Sequence, residues 1–215
     1  MSLFNFEFQI KTKIIFGENK IEKLNDSLES FGVKRIMLVV DKGIIEAGLI
    51  DKVEKILKKS DFEYFIFDQV KPDPTIEIVN SGIKFLLENK VDALVAVGGG
   101  SPIDTAKAIR ASFSNVELAK KISVDKLPLI TIPTTSGSGS EVTKAVVIKD
   151  ENTKNKFAVA DENLAPEISI VDPIMTKTLP PQLTAIGGMD ALSHCIESYV
   201  SHAAVLPFEM IATKG

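Results

Sequence analysis

Apolar residues along this chain fall into short unbroken runs, separated by stretches in which they return every three or four positions. Residues 35–40 (R-I-M-L-V-V), 93–97 (A-L-V-A-V), 127–132 and 168–171 are such runs. They are too short for core helices and rich in β-branched residues, so they predict strands buried on both sides. Residues 64–67 predict a further strand. Helices are expected at 19–28, at 44–58 and from an N-cap at Thr75 to about Asn89. Pro74 is too early to be helical and belongs to the turn Lys71-Pro72-Asp73-Pro74. The order β-α-β-α-β-α predicts an α/β fold with a Rossmann-like parallel sheet and helices on both faces.

The two ends of the chain are patterned differently. Residues 4–16 alternate at period two, with Phe4, Phe6 and Phe8 on one side. They predict one or two strands ending at Gly17, at a sheet edge or a subunit contact. Residues 145–148 and 157–160 flank the turn Asp150-Glu151-Asn152 and predict a hairpin. After Pro180-Pro181 a helical period runs through Ile186, Met189, Ile196 and Val200. That change of pattern places a domain boundary near 178, with an α/β domain over 1–178 and the start of a helical domain over 179–215.

Composition narrows the functional classes. A chain of 215 residues, 45% hydrophobic and 25% charged, can bury a substantial core. Net charge is −4 and the basic residues are dispersed, with only short pairs such as Lys58–Lys59 and Lys120–Lys121, which argues against nucleic acid and anionic membranes as partners. One cysteine excludes an intrachain disulfide framework and fits a reducing cytoplasm. No signal-peptide pattern is present at the N-terminus, so a cytoplasmic location is expected.

Candidate chemistry gathers at the strand ends. The run at 93–97 is followed at once by Gly98, Gly99 and Gly100, then Ser101 and Pro102, with Ile103, Ala106 and Ile109 at helical spacing. Strand, glycine turn and helix N-terminus together present free N–H groups and a positive dipole end, a seat for a pyrophosphate. A tight βα turn without ligand has the same sequence. Asp41 closes an early strand, where a carboxylate accepts the hydroxyls of an adenosine ribose and repels a 2′-phosphate; capping of the next helix is the alternative. Residues 133–142 hold two glycines and five hydroxyl side chains, able to grip ribose and phosphate oxygens without charge. Lys156, at the hairpin's re-entry, is either an anion contact or a solvated surface lysine.

Asp190 and His194 lie four apart in the last helical stretch, so they project from one face and can meet at one ion. Carboxylate plus imidazole suits Fe²⁺ or Zn²⁺; an ordinary i,i+4 pair has the same spacing. On a continuous helix His202 stands about 12 Å from His194 and cannot join it, and Cys195 points roughly 100° away. Two ligands do not make a site.

Three motifs, taken together, resemble the iron-containing (group III) alcohol dehydrogenases. They are G-G-G-S-P-I-D-T-A-K at 98–107, P-T-T-S-G-S-G-S-E-V-T at 133–143 and G-M-D-A-L-S-H-C-I-E at 188–197, and the opening F-N-F-E-F-Q-I-K-T-K-I-I-F-G at 4–17 is similar too. The resemblance implies a dehydroquinate synthase-like architecture, a nucleotide-binding α/β domain and an all-helical domain with the metal in the cleft between. It implies NAD, with NADP less favoured, and the interconversion of a small alcohol with its aldehyde or ketone by a homo-oligomer. By position, Gly98, Gly99, Gly100, Ser101 and Asp104 belong to the pyrophosphate motif. Thr134, Thr135 and Ser138 face the nicotinamide side, and Asp41 and Lys156 also count as cofactor residues. Asp190 and His194 match the first two metal ligands. Family members continue well past position 215 and take two further histidine ligands from later helices, so these residues are expected to be the N-terminal portion of such an enzyme and inactive alone. No general base is identified.

Overall fold

The computed structural model describes residues 5–7, 9–115, 127–151, 153, 155–202 and 204–214. Eight strands appear among them: β1 (Lys13–Phe16), β2 (Arg35–Asp41), β3 (Glu63–Val70), β4 (Ala93–Gly98), β5 (Leu129–Pro133), β6 (Ala145–Lys149), β7 (Lys156–Ala160) and β8 (Ile168–Val171). Six form a sheet in the order β1-β8-β5-β4-β2-β3, and every pairing in it is parallel. The helices are α1 (Leu24–Glu29), α2 (Lys42–Glu46), α3 (Leu49–Leu57), α4 (Ile76–Glu88), α5 (Gly100–Asn115), α6 (Pro181–Val200) and α7 (Leu206–Ala212).

The unbroken apolar runs follow from burial on both faces. Successive strand residues point to opposite sides of the sheet. Ile36, Leu38 and Val40 of β2, Val95 and Val97 of β4, and Ile130 and Ile132 of β5 pack with Leu24 and Leu28 of α1 and Val53 and Leu57 of α3. The intervening Met37, Val39, Leu94, Ala96 and Leu129 pack on the other face with Val79 and Ile83 of α4 and Ile103 and Ile109 of α5. Polar residues at either set would unseat one helix layer.

The connections create a crevice. From β2 the chain crosses by α2 and α3 to β3 at the sheet edge, then by α4 to β4 on the other side of β2. The strand order therefore reverses between β2 and β4, and ligands of open α/β sheets bind at such a point, beyond the carboxyl ends. Asp41 and Gly98 are the last residues of those two strands.

Several local expectations are refined. Strand β1 is only four residues long, so the alternation at 9–12 forms no strand, while Phe4 and Phe8 lie outside the described residues. The helix expected at 19–28 is a 3₁₀ turn over Lys20–Lys23 followed by α1. The single helix expected at 44–58 is two, broken where Gly48 takes φ 65°. Thr75 does cap α4, its Oγ1 accepting from the Ile78 N–H at 3.4 Å. The hairpin of β6 and β7 is antiparallel, and the Lys149 N–H donates to the Pro74 carbonyl at 2.9 Å. Helix α6 leans on the α/β body through Gly187, Ala191 and Cys195, which are partly buried at four-residue intervals, and through a hydrogen bond from His194. None of its residues is fully buried.

Candidate functional site

The glycine corner is built for close approach. Gly98 has φ 148°, and a Cβ there would stand 2.5 Å from Cγ of Pro102. A Cβ on Gly99 would stand 3.1 Å from Thr135 Cγ2, and one on Gly100 3.4 Å from Ser138 Cβ. The hydroxyl-bearing loop thus lies directly over the corner, anchored where the Thr134 N–H donates to the Gly98 carbonyl at 3.0 Å. Helix α5 starts at Gly100 and runs 16 residues, so its positive end opens here.

Asp41, Gly99, Gly100, Ser101, Thr134 and Thr135 line one cavity of about 360 Å³. A second, of about 780 Å³, adjoins it through Asp41 and Ser101 and extends to Lys71 and Pro72. A third, of about 760 Å³, is lined by Thr135, Ser138, Glu141 and His194. Thr135 faces both the first and the third, so the loop separates the glycine corner from the α6 histidine by one residue's thickness.

At Asp41 the two readings of the sequence coexist. Its Oδ1 accepts from the Ile44 N–H at 3.0 Å and caps α2, and the residue lines both cavities beside the corner. Asp104 and Lys156 are placed elsewhere. Asp104 sits one turn into α5 with Oδ2 accepting from the Val147 N–H of β6 at 3.0 Å, so it fastens the hairpin. Burial raises its pKa, and that bond partly offsets the rise. Lys156 forms an exposed ion pair with Asp73 at 2.6 Å. Neither residue lines the three cavities.

Two groups were not singled out from sequence. Lys107 is fully buried, and burial lowers its pKa to about 8 against the opposing pull of Asp104. Nothing in the sequence separates it from the other charges of α5, of which Asp104 and Arg110 are buried as well. The other is the backbone carbonyl of Gly137, which no side-chain pattern marks. It accepts from Nδ1 of His194 at 3.1 Å. A carbonyl only accepts, so Nδ1 carries the hydrogen in this bond, and in the neutral ring the lone pair lies on Nε2.

His194 Nε2 lies 3.9 Å from Asp190 Oδ1. That is too long for a hydrogen bond, and an ion about 2 Å from each atom would span roughly 140–150°, so a tetrahedral ion needs the two side chains to close by about half an ångström. Carboxylate and imidazole are the donor types that Fe²⁺ or Zn²⁺ takes. Helix α6 ends at Val200, before His202. Among the described residues no group of three or more His, Cys, Asp or Glu side chains forms a metal cluster.

An open parallel α/β sheet with a glycine corner at its switch point places the chain among the doubly wound α/β proteins, and comparison with known proteins specifies it. The model of the family "Iron-containing alcohol dehydrogenase" matches residues 11–173. Alcohol dehydrogenase 4 of Saccharomyces cerevisiae is 38% identical over 217 residues, covering 97% of this chain and 56% of the yeast protein. The crystal structure of NADH-dependent butanol dehydrogenase A from Thermotoga maritima superposes with a TM-score of 0.86 at 33% identity, covering 98% of this chain and 55% of that one. Sulfoacetaldehyde reductase from Bifidobacterium kashiwanohense, solved in complex with NAD⁺, gives 0.81 at 28% identity over 91% of this chain and 54% of that one. The chain belongs to the iron-containing alcohol dehydrogenase family and has its dehydroquinate synthase-like fold. It spans about half the length of these relatives.

Proposed function

We propose that these residues are the cofactor-binding part, and half of the metal site, of an NAD-dependent, metal-assisted dehydrogenase that interconverts a small alcohol with its aldehyde or ketone. The observation that carries the reading is the convergence of Asp41, Gly99–Ser101 and the threonines of the 133–142 loop on one cavity at the switch point. Main-chain N–H groups at the corner and the α5 dipole hold the pyrophosphate. The Asp41 oxygen not used for capping accepts the ribose hydroxyls and disfavours a 2′-phosphate. Thr134, Thr135 and Ser138 contribute uncharged donors toward the nicotinamide side. His194, with its tautomer fixed by Gly137, and Asp190 bind an ion across the loop. When bound, the nicotinamide exchanges a hydride with the substrate and the ion polarises the substrate oxygen. The relative named NADH-dependent and the one solved with NAD⁺ support the choice of cofactor.

The family pattern supports an α/β unit up to about 178 and a helical unit beyond it, acting as a cytoplasmic homo-oligomer. A second reading, a nucleotide-binding module without catalysis, is favoured for the 215 residues by themselves, because they bring two metal ligands where catalytic zinc sites keep three. Calorimetric titration of NAD⁺, paired with an assay of short-chain alcohols in the presence of Fe²⁺, tests both. NAD⁺ binding without turnover supports the module; turnover supports the enzyme. Absence of NAD⁺ binding overturns both.

A further inference from the structure

Lys107 is a charged side chain with no exposed surface, two turns inside α5 and away from all three cavities. Removing an ammonium from water costs several kcal/mol unless close partners answer it. Its Nζ donates to Thr143 Oγ1 at 3.0 Å and to the Ala145 carbonyl at 2.9 Å. Those acceptors stand where the hydroxyl-bearing loop ends and β6 begins. At the other end of the loop, the Thr134 N–H donates to the Gly98 carbonyl. The loop is therefore fastened at one end to the β4–α5 corner through backbone and at the other to the second turn of α5 through Lys107.

Between those ends the internal ties are few, and both hydroxyl ties are long. The Ser140 N–H reaches Ser138 Oγ at 3.4 Å, the Thr143 hydroxyl reaches the Ser140 carbonyl at 3.5 Å, and the Val142 N–H reaches the Gly139 carbonyl at 3.1 Å. Thr143 thus accepts from Lys107 and donates back into the loop, so the ammonium orients the hydroxyl and the hydroxyl orients the turn. The two hydroxyl bonds are too long, and the Val142 bond too local, to fix by themselves where the loop lies over the glycines.

We propose that Lys107 is a positioning residue for the dinucleotide: through Thr143 it holds the 134–143 loop over the glycine corner, so that Thr135 and Ser138 meet the nicotinamide half already in place. The proposal rests on the cofactor reading given above. It separates the two halves of the ligand. Losing the latch loosens what the loop touches and leaves the corner that holds the diphosphate intact.

The test is a titration of NAD⁺ and of ADP against the parent chain, Thr143→Val, Thr143→Ser and Lys107→Met. Thr143 is exposed, so its valine variant folds even if the buried methionine does not. Thr143→Val is expected to weaken NAD⁺ about tenfold and ADP by less than about twofold, the loss of one hydrogen bond to a charged group. Thr143→Ser, which keeps the hydroxyl, restores NAD⁺ binding, and Lys107→Met shows the same selective loss. Unchanged NAD⁺ affinity in Thr143→Val, or equal losses of NAD⁺ and ADP, overturns the latch while leaving the cofactor reading standing. A parent chain that binds neither nucleotide overturns the cofactor reading, and the latch with it.

Discussion

At Asp41 one carboxylate oxygen closes the first turn of α2, and the residue also lines the cleft beside the glycine corner. Substitution by glycine or alanine would confuse the cap with the charge. Asn keeps an accepting oxygen for the Ile44 N–H and removes only the charge. Asp41→Asn is expected to leave thermal stability within about 0.5 kcal/mol and to narrow the preference for NAD⁺ over NADP⁺ by about tenfold, read as the ratio of two dissociation constants. An unchanged ratio would remove Asp41 from cofactor selection. Lys107 makes a different prediction at this scale. Its folded pKa of about 8 lies below its ordinary value of 10.5, so between those values the unfolded chain binds more protons. Stability from this group accordingly rises as pH rises through 8 and levels off near 10.5. Denaturant midpoints are expected to climb from pH 7.5 to 9.5 in the parent relative to Lys107→Met, and equal slopes would contradict it.

Strands β2, β4 and β5 were legible because burial on both faces keeps their middles almost wholly apolar, Thr131 excepted, and so short an apolar run without alternation suits little besides a strand covered on both sides. The break at Gly48 was not, since a glycine inside a helical period is tolerated and nothing nearby marks the left-handed turn it takes here. Positions 9–12 misled for the opposite reason. Period two states that a segment suits a pleat, whereas forming a strand needs a neighbour, and β8 offers β1 only four positions. At the site, the corner and Asp41 could be read from strand ends. Asp104 could not, because the motif fixes its place on α5 and not the direction of its side chain toward β6. The loop–α6 contact rests on absent side chains: a Cβ on Gly137 would lie 2.3 Å from the Gly187 carbonyl oxygen. Gly137→Ala is expected to push α6 off the loop and break the bond to His194. The measurement is the NMR titration of the imidazole, whose neutral form should lose the Nδ1–H tautomer preference. A tautomer signature unaltered by the substitution would show that the helix is held by other contacts.

Across the whole molecule, apolar surface is unevenly covered. Leu183, Ile186, Met189, Leu192, Ile196 and Tyr199 of α6 and Phe208, Met210 and Ile211 of α7 are exposed, as are Ile14 and Phe16 on the edge strand β1. Patches of that extent drive association. Light scattering of the 215-residue chain is expected to report dimers or larger species, and a monodisperse monomer at high concentration would contradict this. Among the described residues no helix is long and apolar enough to cross a membrane. With only the proposed ligands Asp190 and His194 on an exposed helix, the same chain is expected to lose iron or zinc on chelation and desalting while some NAD⁺ binding survives. Near-stoichiometric metal after that treatment, abolished by His194→Ala, would show that a second copy completes the shell. The position of Gly137 gives this half-site a thermodynamic partner. Its missing Cβ sets how closely the helix rides on the nucleotide loop, and its carbonyl holds the imidazole that rides with it. If the proposed cofactor and ion both bind, whatever stills the loop also stills the ligand atom; the two occupancies are then expected to be cooperative, each raising the other's affinity by the same factor.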